Sequence, residues 1–362
     1  MRFIHIADVH LGARPDAGRA YSTDRGAELW EALERVVAAC RREQIDLLLI
    51  AGDLFHRQPL LGELKEVDSL FASMEHTKVV LMAGNHDYLK PSSFYRTYQW
   101  KSETYMFTEG SPACFEFPEL GACVYGLSYT EREIREPLYN RMRPQGRQPV
   151  EILLAHGGDT KHSPIDKTQI KNLGYDYVAF GHIHKPMMLE KDRIYYAGSL
   201  EPVDPGDLGE HGYIRGEITR REDGRKETQA DFVPDAKREY IPIKIEVDQT
   251  AAGRDVRERL AGMIQRRGVQ HMYHVKLCGF RDPDITFDLS GMDVYGNVIQ
   301  MTDETHPAWD FAKLLRQNEG NLLGRYIAAF IDSGEGSVES QALYDGVQAL
   351  ITHTEERGEA WR

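Results

Sequence analysis

Along its first 90 residues the chain alternates between short apolar runs and longer amphipathic stretches. Phe3, Ile4 and Ile6 predict a strand, and Leu29, Trp30, Leu33, Val36, Val37 and Cys40 recur at helical spacing. Leu47 to Ile50 is a continuous apolar run, the pattern of a strand covered on both faces. Leu64, Val67, Leu70, Phe71 and Met74 form a second helical stripe, and Val79 to Met82 a third buried strand. This β-α-β-α-β order predicts a layered α/β core.

The stretch from about 90 to 145 is less regular, with a helical segment near Phe94 to Trp100 and strands near Phe115 and Val124. Two more buried strands follow, Ile152 to Ala155 and Tyr177 to Phe180. Ile194 to Ala197 and Tyr213 to Ile218 read as strands flanking the turn-rich GSLEPVDPGDLGEHG, and the polar residues 219–229 as a hairpin tip or linker. A second unit begins near 236. There Ile241, Ile243, Ile245 and Val247 alternate strictly, Val256, Leu260, Met263 and Ile264 mark an amphipathic helix, and Val275 and Leu277 open another strand. After about 305 the chain reads as helical. Leu322, Leu323, Tyr326, Ile327, Phe330 and Ile331 make one stripe, and Leu343, Tyr344, Val347, Leu350 and Ile351 another, separated by SGEGS at 333–337. These stripes can close on a core of their own or on a partner, and the reading favours the partner. The expected divisions are 1–235, 236–300 and 301–362.

A length of 362 residues exceeds one typical domain. Hydrophobic residues at 41% and charged ones at 28% are an ordinary globular balance, so a large core needs no staples. Cys40, Cys114, Cys123 and Cys278 form no CxxC pair, which predicts free thiols of a reducing compartment. The opening MRFIHIADVH, broken by His5 and Asp8, does not read as a signal peptide, and no run approaches the roughly 20 apolar residues of a bilayer span. A soluble cytoplasmic protein with no membrane partner is expected. The net charge of -13 argues against a broad electrostatic footprint on nucleic acid. It is compatible with a nuclease whose metals and a few local arginines meet the phosphates, since bound cations offset part of that charge.

Five motifs carry the candidate chemistry: DVH at 8–10, GDLFH at 52–56, GNHD at 84–87, AHG at 155–157 and GHIH at 181–184. Each begins where a buried apolar run ends. In an open α/β sheet the carboxyl ends of the strands share one edge, where ligands bind. Two cations about 3.5–4 Å apart can clamp the attacking and leaving oxygens of a phosphoryl displacement. Asp53 is the candidate anionic bridge between them. Asp8 and His10 stand two apart, so an extended backbone points both to one side, and the same holds for His182 and His184. Asn85 offers a carbonyl oxygen and His156 an imidazole nitrogen. The mixed oxygen and nitrogen donors favour manganese, with iron, zinc or magnesium as alternatives. His86 is not needed as a ligand and is placed to donate a proton to a leaving alkoxide, with Asp87 available to orient it. His56 either faces the site or packs against its loop. Arg14, Arg19, Arg25 and Arg57 are candidate phosphate contacts.

A lone histidine after a strand is more often structural than ligating, and GDLFH by itself is a weak signal. The order of all five motifs, each after a buried strand, is what points to chemistry. His5, His76, His162, His211, His271, His274, His306 and His353 read as surface or core residues.

The order DxH, GD, GNHD, H, GHxH resembles the calcineurin-like metallophosphoesterases over roughly residues 1–215. IADVHLG at 6–12, GDLFH, GHIHKP at 181–186 and YAGSLEPVDPGDLGEHGY at 196–213 resemble the SbcD-type DNA repair nucleases within that superfamily. The resemblance implies a layered β-sandwich flanked by helices, a small α+β cap module that helps to place DNA, and C-terminal helices that bind an SMC-like ATPase with ABC-type heads. It also implies one metal on Asp8, His10, Asp53 and His184, a second on Asp53, Asn85, His156 and His182, and His86 as the catalytic histidine. The function it implies is a DNA exonuclease or endonuclease subunit of an SbcCD-like repair complex. A homodimer stays open. Two rivals are a phosphodiesterase or phosphatase for a small molecule such as a cyclic nucleotide, and a non-catalytic subunit of an ATPase complex.

Overall fold

In the computed structural model, which describes residues 1–19, 21–221, 223–334 and 336–357, the apolar runs become strands of two packed sheets. The first sheet grows from β1 (Arg2–Ile6), α1 (Ser22–Glu43), β2 (Leu47–Ala51), α2 (Leu61–Ala72), β3 (Lys78–Met82) and β4 (Thr104–Met106). The chain then builds β5 (Ala113–Phe117), β6 (Ala122–Gly126), β7 (Val150–His156), the short α3 (Lys167–Lys171), β8 (Tyr177–Gly181), β9 (Met187–Glu190) and β10 (Ile194–Tyr196). It returns to the first sheet with β11 (Gly212–Arg220) and β12 (Lys226–Pro234). The strand orders are β12-β11-β1-β2-β3-β4 and β5-β6-β7-β8-β10-β9. Strands β1, β2 and β3 run parallel, as do β6, β7 and β8.

Strand periodicity sorts the core. On β2, Leu47, Leu49 and Ala51 face the second sheet, while Leu48 and Ile50 face the layer of α1 and α2. Leu29, Leu33, Val36, Val37 and Cys40 of α1 are buried against that same face, as their spacing predicts. The result is a mixed α/β sandwich with helices on the outside.

Two local expectations shift. The helical reading of Phe94 to Trp100 shrinks to one 3-10 turn, Phe94–Arg96. Just beyond it, the Asp68 carboxylate accepts from the Tyr98 hydroxyl (2.9 Å) and from the backbone N–H groups of Lys101 and Ser102 (both 3.0 Å), so these two N–H groups bond a side chain and not a helical ladder. The polar stretch 219–229 is largely strand, because β11 and β12 pair from Gly212↔Pro234 out to Arg220↔Lys226. Of the described residues between these strands, Asp223 and Gly224 form the turn or bend.

The chain forms two compact units, Met1–Ile241 and Pro242–Arg362. In the second, β13 (Tyr240–Val247), α4 (Gly253–Arg267), β14 (Met272–Arg281) and β15 (Val298–Asp303) make an α+β module, with β16 (His306–Pro307) paired to β14. Helices α5 (Phe311–Gln317), α6 (Leu322–Phe330) and α7 (Val338–Arg357) follow. The stripes of α6 and α7 meet each other, since Leu323, Ile327, Leu343 and Val347 form one buried cluster. Much of the apolar surface assigned to a partner is thus used internally. Residues 358–362 of that segment lie outside the described residues. Among the described residues no helix is long and apolar enough to cross a membrane.

Arg25, expected as a phosphate contact, is fully buried. Its guanidinium pairs with Glu28 (3.0 Å) and Asp16 (3.4 Å) and donates to the Pro202 carbonyl. Glu28 also binds Arg238 at 2.7 Å, and Asp16 accepts from the Tyr240 hydroxyl at 2.7 Å. Removing one partner leaves buried carboxylates uncompensated. Arg25→Ala is therefore expected to destabilise the fold by about 3–5 kcal/mol in urea denaturation; a change within error of zero would contradict the buried network.

Candidate metal centre

All five motifs fall at one edge of the sandwich. Asp8 and His10 follow β1, Asp53 follows β2, Asn85 and His86 follow β3, His156 ends β7, and His182 and His184 follow β8. The first sheet thus supplies one half of the site and the second sheet the other. The backbone here is not extended. Asp8 (φ 50°), His10 (φ 53°), Asp53 (φ 52°) and His182 (φ 94°) all adopt positive φ, and they are four of the eight such non-glycine residues described. Left-handed backbone is uncommon outside glycine, although Asp and His adopt it more readily than most residues, and it concentrates at functional sites. The chain must turn sharply past each strand end for the side chains to converge. Gly84 allows a close approach, because a Cβ there would lie 2.3 Å from Asp53 Oδ1.

The side chains crowd tightly. His156 Nδ1 donates to the Ala51 carbonyl at 2.8 Å, which directs Nε2 to Asn85 Oδ1 (2.8 Å) and Asp53 Oδ2 (3.5 Å). His182 Nδ1 lies 3.0 Å from the same Asn85 oxygen. His10 Nε2 and His184 Nε2 face each other at 3.0 Å. Asp8 Oδ2 accepts from the His182 N–H at 2.8 Å, while Asp8 Oδ1 is buried without a hydrogen-bond partner. Donor atoms of Asp8, His10 and His184 lie within 4.8 Å of one another, as do those of Asp8, Asp53 and His156. Asp8 is thus common to both groups. Opposed lone pairs and an orphaned carboxylate oxygen are the chemistry that divalent cations satisfy, and oxygen and imidazole donors fit a transition ion. The residues present therefore fit metal.

Titration follows from this crowding. Burial would raise the pKa of Asp53, but the charge and hydrogen bond of His156, with His10 nearby, hold the carboxyl well below its usual range. Burial pushes Asp8 up to about 6. Burial opposes the charged form of His156, yet Asp53 raises it to about 9. Burial likewise opposes charging of His184, yet the Asp207 hydrogen bond and Asp8 raise it to about 9. Burial pushes His10 well down. Protons on His156 and His184 thus balance the carboxylates, a role that cations take over on binding.

His86 and His56 lie at the more exposed side. The His86 backbone N–H donates to Asp53 Oδ1 at 2.8 Å, and its ring Nδ1 donates to the His56 carbonyl at 3.2 Å. The His56 ring packs 4.8 Å from that of His86 and 5.3 Å from that of His10, centroid to centroid. Asp87 does not reach the His86 ring. It is buried and accepts from Gly84 N (2.8 Å), Phe55 N (3.2 Å) and the Tyr95 hydroxyl (3.0 Å), tying the GNHD loop to the GDLFH loop. Its place is to position the loop; nothing links it to the proton of His86. Arg57 is engaged with Glu63 at 2.7 Å, while Arg14 and Arg19 are exposed.

Sequence reasoning missed two carboxylates. Asp207 Oδ2 accepts from His184 Nδ1 at 3.0 Å, itself held by the N–H groups of Val203 and Asp204. Asp159 Oδ2 does the same for His182 Nε2 at 2.8 Å. Metal-ligating imidazoles commonly donate their second N–H to such groups. Asp207 sits in a turn-rich stretch with Asp204 and Glu210, and nothing in the spacing singles it out. His162, read as bland, also reaches Asp159.

The family model for calcineurin-like phosphoesterases matches residues 1–186. The uncharacterised metallophosphoesterase YhaO of Bacillus subtilis (strain 168) is 28% identical over 240 residues, covering 60% of this chain and 58% of that protein. The DNA double-strand break repair protein Mre11 of Haloferax volcanii is 27% identical over 230 residues, covering 60% of this chain and 49% of its own. The protein of the same name from Methanopyrus kandleri is 29% identical over 237 residues, covering 56% and 49%. The chain therefore spans about half to three-fifths of the relatives it matches.

Two outcomes follow from the geometry. Below about pH 9, His156 and His184 carry protons that a cation must displace, so metal uptake releases protons and affinity rises as pH climbs from about 6 to about 9. Calorimetry in buffers of different ionisation enthalpy measures this, and zero proton release at neutral pH would contradict it. Gly84→Ala drives a methyl against Asp53 Oδ1 and is expected to weaken cation binding about 10–100-fold. An unchanged binding isotherm would show that the loop can yield.

Proposed function

The chain belongs to the calcineurin-like phosphoesterase family, and from that premise we propose that it is a two-cation phosphodiesterase that cleaves DNA, as the nuclease subunit of an SbcCD-like repair complex. The observation that carries this reading is the convergence of Asp8, His10, Asp53, Asn85, His156, His182 and His184 from two sheets onto one edge, with His86 beside them. One cation would be held by Asp8, His10, Asp53 and His184. The other would be held by Asp53, Asn85, His156 and His182. Manganese suits these donors best. When bound, such a pair supplies charge neutralisation for a phosphoryl group and acidifies water.

The protein's own groups do the rest. Asp207 and Asp159 orient the two GHxH imidazoles. Asp53 serves twice, as a carboxylate ligand and as the acceptor that pins the His86 backbone. The His56 carbonyl holds Nδ1–H of His86, so in the imidazolium form Nε2–H is left to protonate a departing sugar oxygen. The Mre11 relatives carry double-strand break repair in their name, which favours DNA over a small molecule. An SMC-like ABC-type ATPase is the proposed partner, and the helices after residue 301 its proposed contact. The four cysteines form no disulfide, consistent with a cytoplasmic setting.

His86→Ala is expected to keep its bound metal and to lose about 10²–10⁴-fold in kcat on labelled linear DNA with manganese. Full activity in that variant would remove His86 from the mechanism. Wild-type turnover of cyclic nucleotides, without cleavage of linear or hairpin DNA, would replace the DNA reading with a small-molecule one.

A further inference from the structure

The loop that leaves His156 is shaped for a purpose that the metal ligands alone do not explain. Gly157 has φ 143°, and a Cβ on it would lie 2.4 Å from the His162 carbonyl oxygen. Ser163 closes the loop with φ 40°. Gly158 N donates to the His162 carbonyl (2.8 Å), and Ser163 N to the Ile134 carbonyl (2.6 Å). Asp159 Oδ1 accepts from the N–H groups of Lys161 (2.7 Å) and His162 (2.8 Å). This turn leaves Asp159 Oδ2 facing two rings, His162 Nδ1 at 2.8 Å and His182 Nε2 at 2.8 Å. The two rings lie 4.5 Å apart, centroid to centroid.

A carboxylate accepts, so His182 places its proton on Nε2. Its Nδ1 lone pair is then the one directed at Asn85 Oδ1, 3.0 Å away. The other GHxH histidine relies on a separate carboxylate, Asp207, on a separate loop. Each of the two GHxH histidines thus has its own carboxylate support. Backbone strain of the kind seen at Ser163 persists where surrounding structure over-determines it, and it clusters at functional sites.

We propose that Asp159 and His162 act as a positioning clamp on His182, fixing its tautomer and so setting occupancy of the second cation position independently of the first. This rests on the two-cation reading above. Outer partners of this kind are worth about 10–100-fold in metal affinity.

The test is manganese titration of the full chain by calorimetry, with the His182 tautomer read from long-range ¹H–¹⁵N NMR of metal-free protein. Wild type is expected to bind two ions and to show His182 protonated at Nε2. Asp159→Ala is expected to weaken one ion about 10–100-fold, spare the other and mix the tautomers. Asp159→Asn, which keeps an acceptor, is expected to lose less. Should Asp159→Ala fail to fold, Asp159→Asn and His162→Gln carry the same comparison. Wild-type affinity at both positions in these variants, or equal loss at both, overturns the clamp. A wild type that takes up a single ion overturns the two-cation reading, and the clamp with it.

Discussion

The arrangement of this molecule depends on forcing like groups together. Two carboxylates, four imidazoles and the Asn85 amide are packed at one edge where five of the seven residues, Asp8, His10, Asp53, Asn85 and His156, are nearly devoid of solvent contact. Buried charge of one sign is costly unless it is compensated. The chain meets that cost with opposite shifts in its own titrating groups, raised imidazoles beside a depressed carboxylate. Only a rigid frame can hold such a set against its own repulsion.

The sandwich is that frame. Parallel strands put their carboxyl ends at a common edge, and left-handed residues after β1, β2 and β8 swing the ligands inward within four residues. The loops are then tied to one another. Asp87 bonds the Phe55 N–H of the neighbouring loop, Asp8 accepts from His182, and Asp53 accepts from His86. The ligands are therefore also the fasteners of the loops that carry them.

Much of this was legible in the chain. The β-α-β-α-β order, the buried runs before each motif and the residues that meet at the edge all follow from apolar periodicity and motif placement. What the sequence did not reveal lies in tertiary detail. An extended backbone at Asp8 and His10 was the natural inference from their spacing, yet local strain decides their direction. Arg25 looked like a surface cation because nothing in its neighbourhood predicted Asp16, Glu28 and Pro202 closing over it. Asp159 and Asp207 gave no signal, because the GHxH histidine that each supports is 23 residues away and the link is a hydrogen bond between loops. The α6 and α7 stripes show the limit of periodicity. It finds a sticky face but does not say which surface covers it.

One further consequence comes from drawing ligands from both sheets. Asp8, His10, Asp53 and Asn85 belong to one layer, and His156, His182 and His184 to the other. An ion held between them rivets the layers, and anything that binds only the native state adds to its stability by mass action. Supply of such an ion would then bear on how long the protein survives: under scarcity, loosened copies would be exposed to proteolysis and abundance would fall.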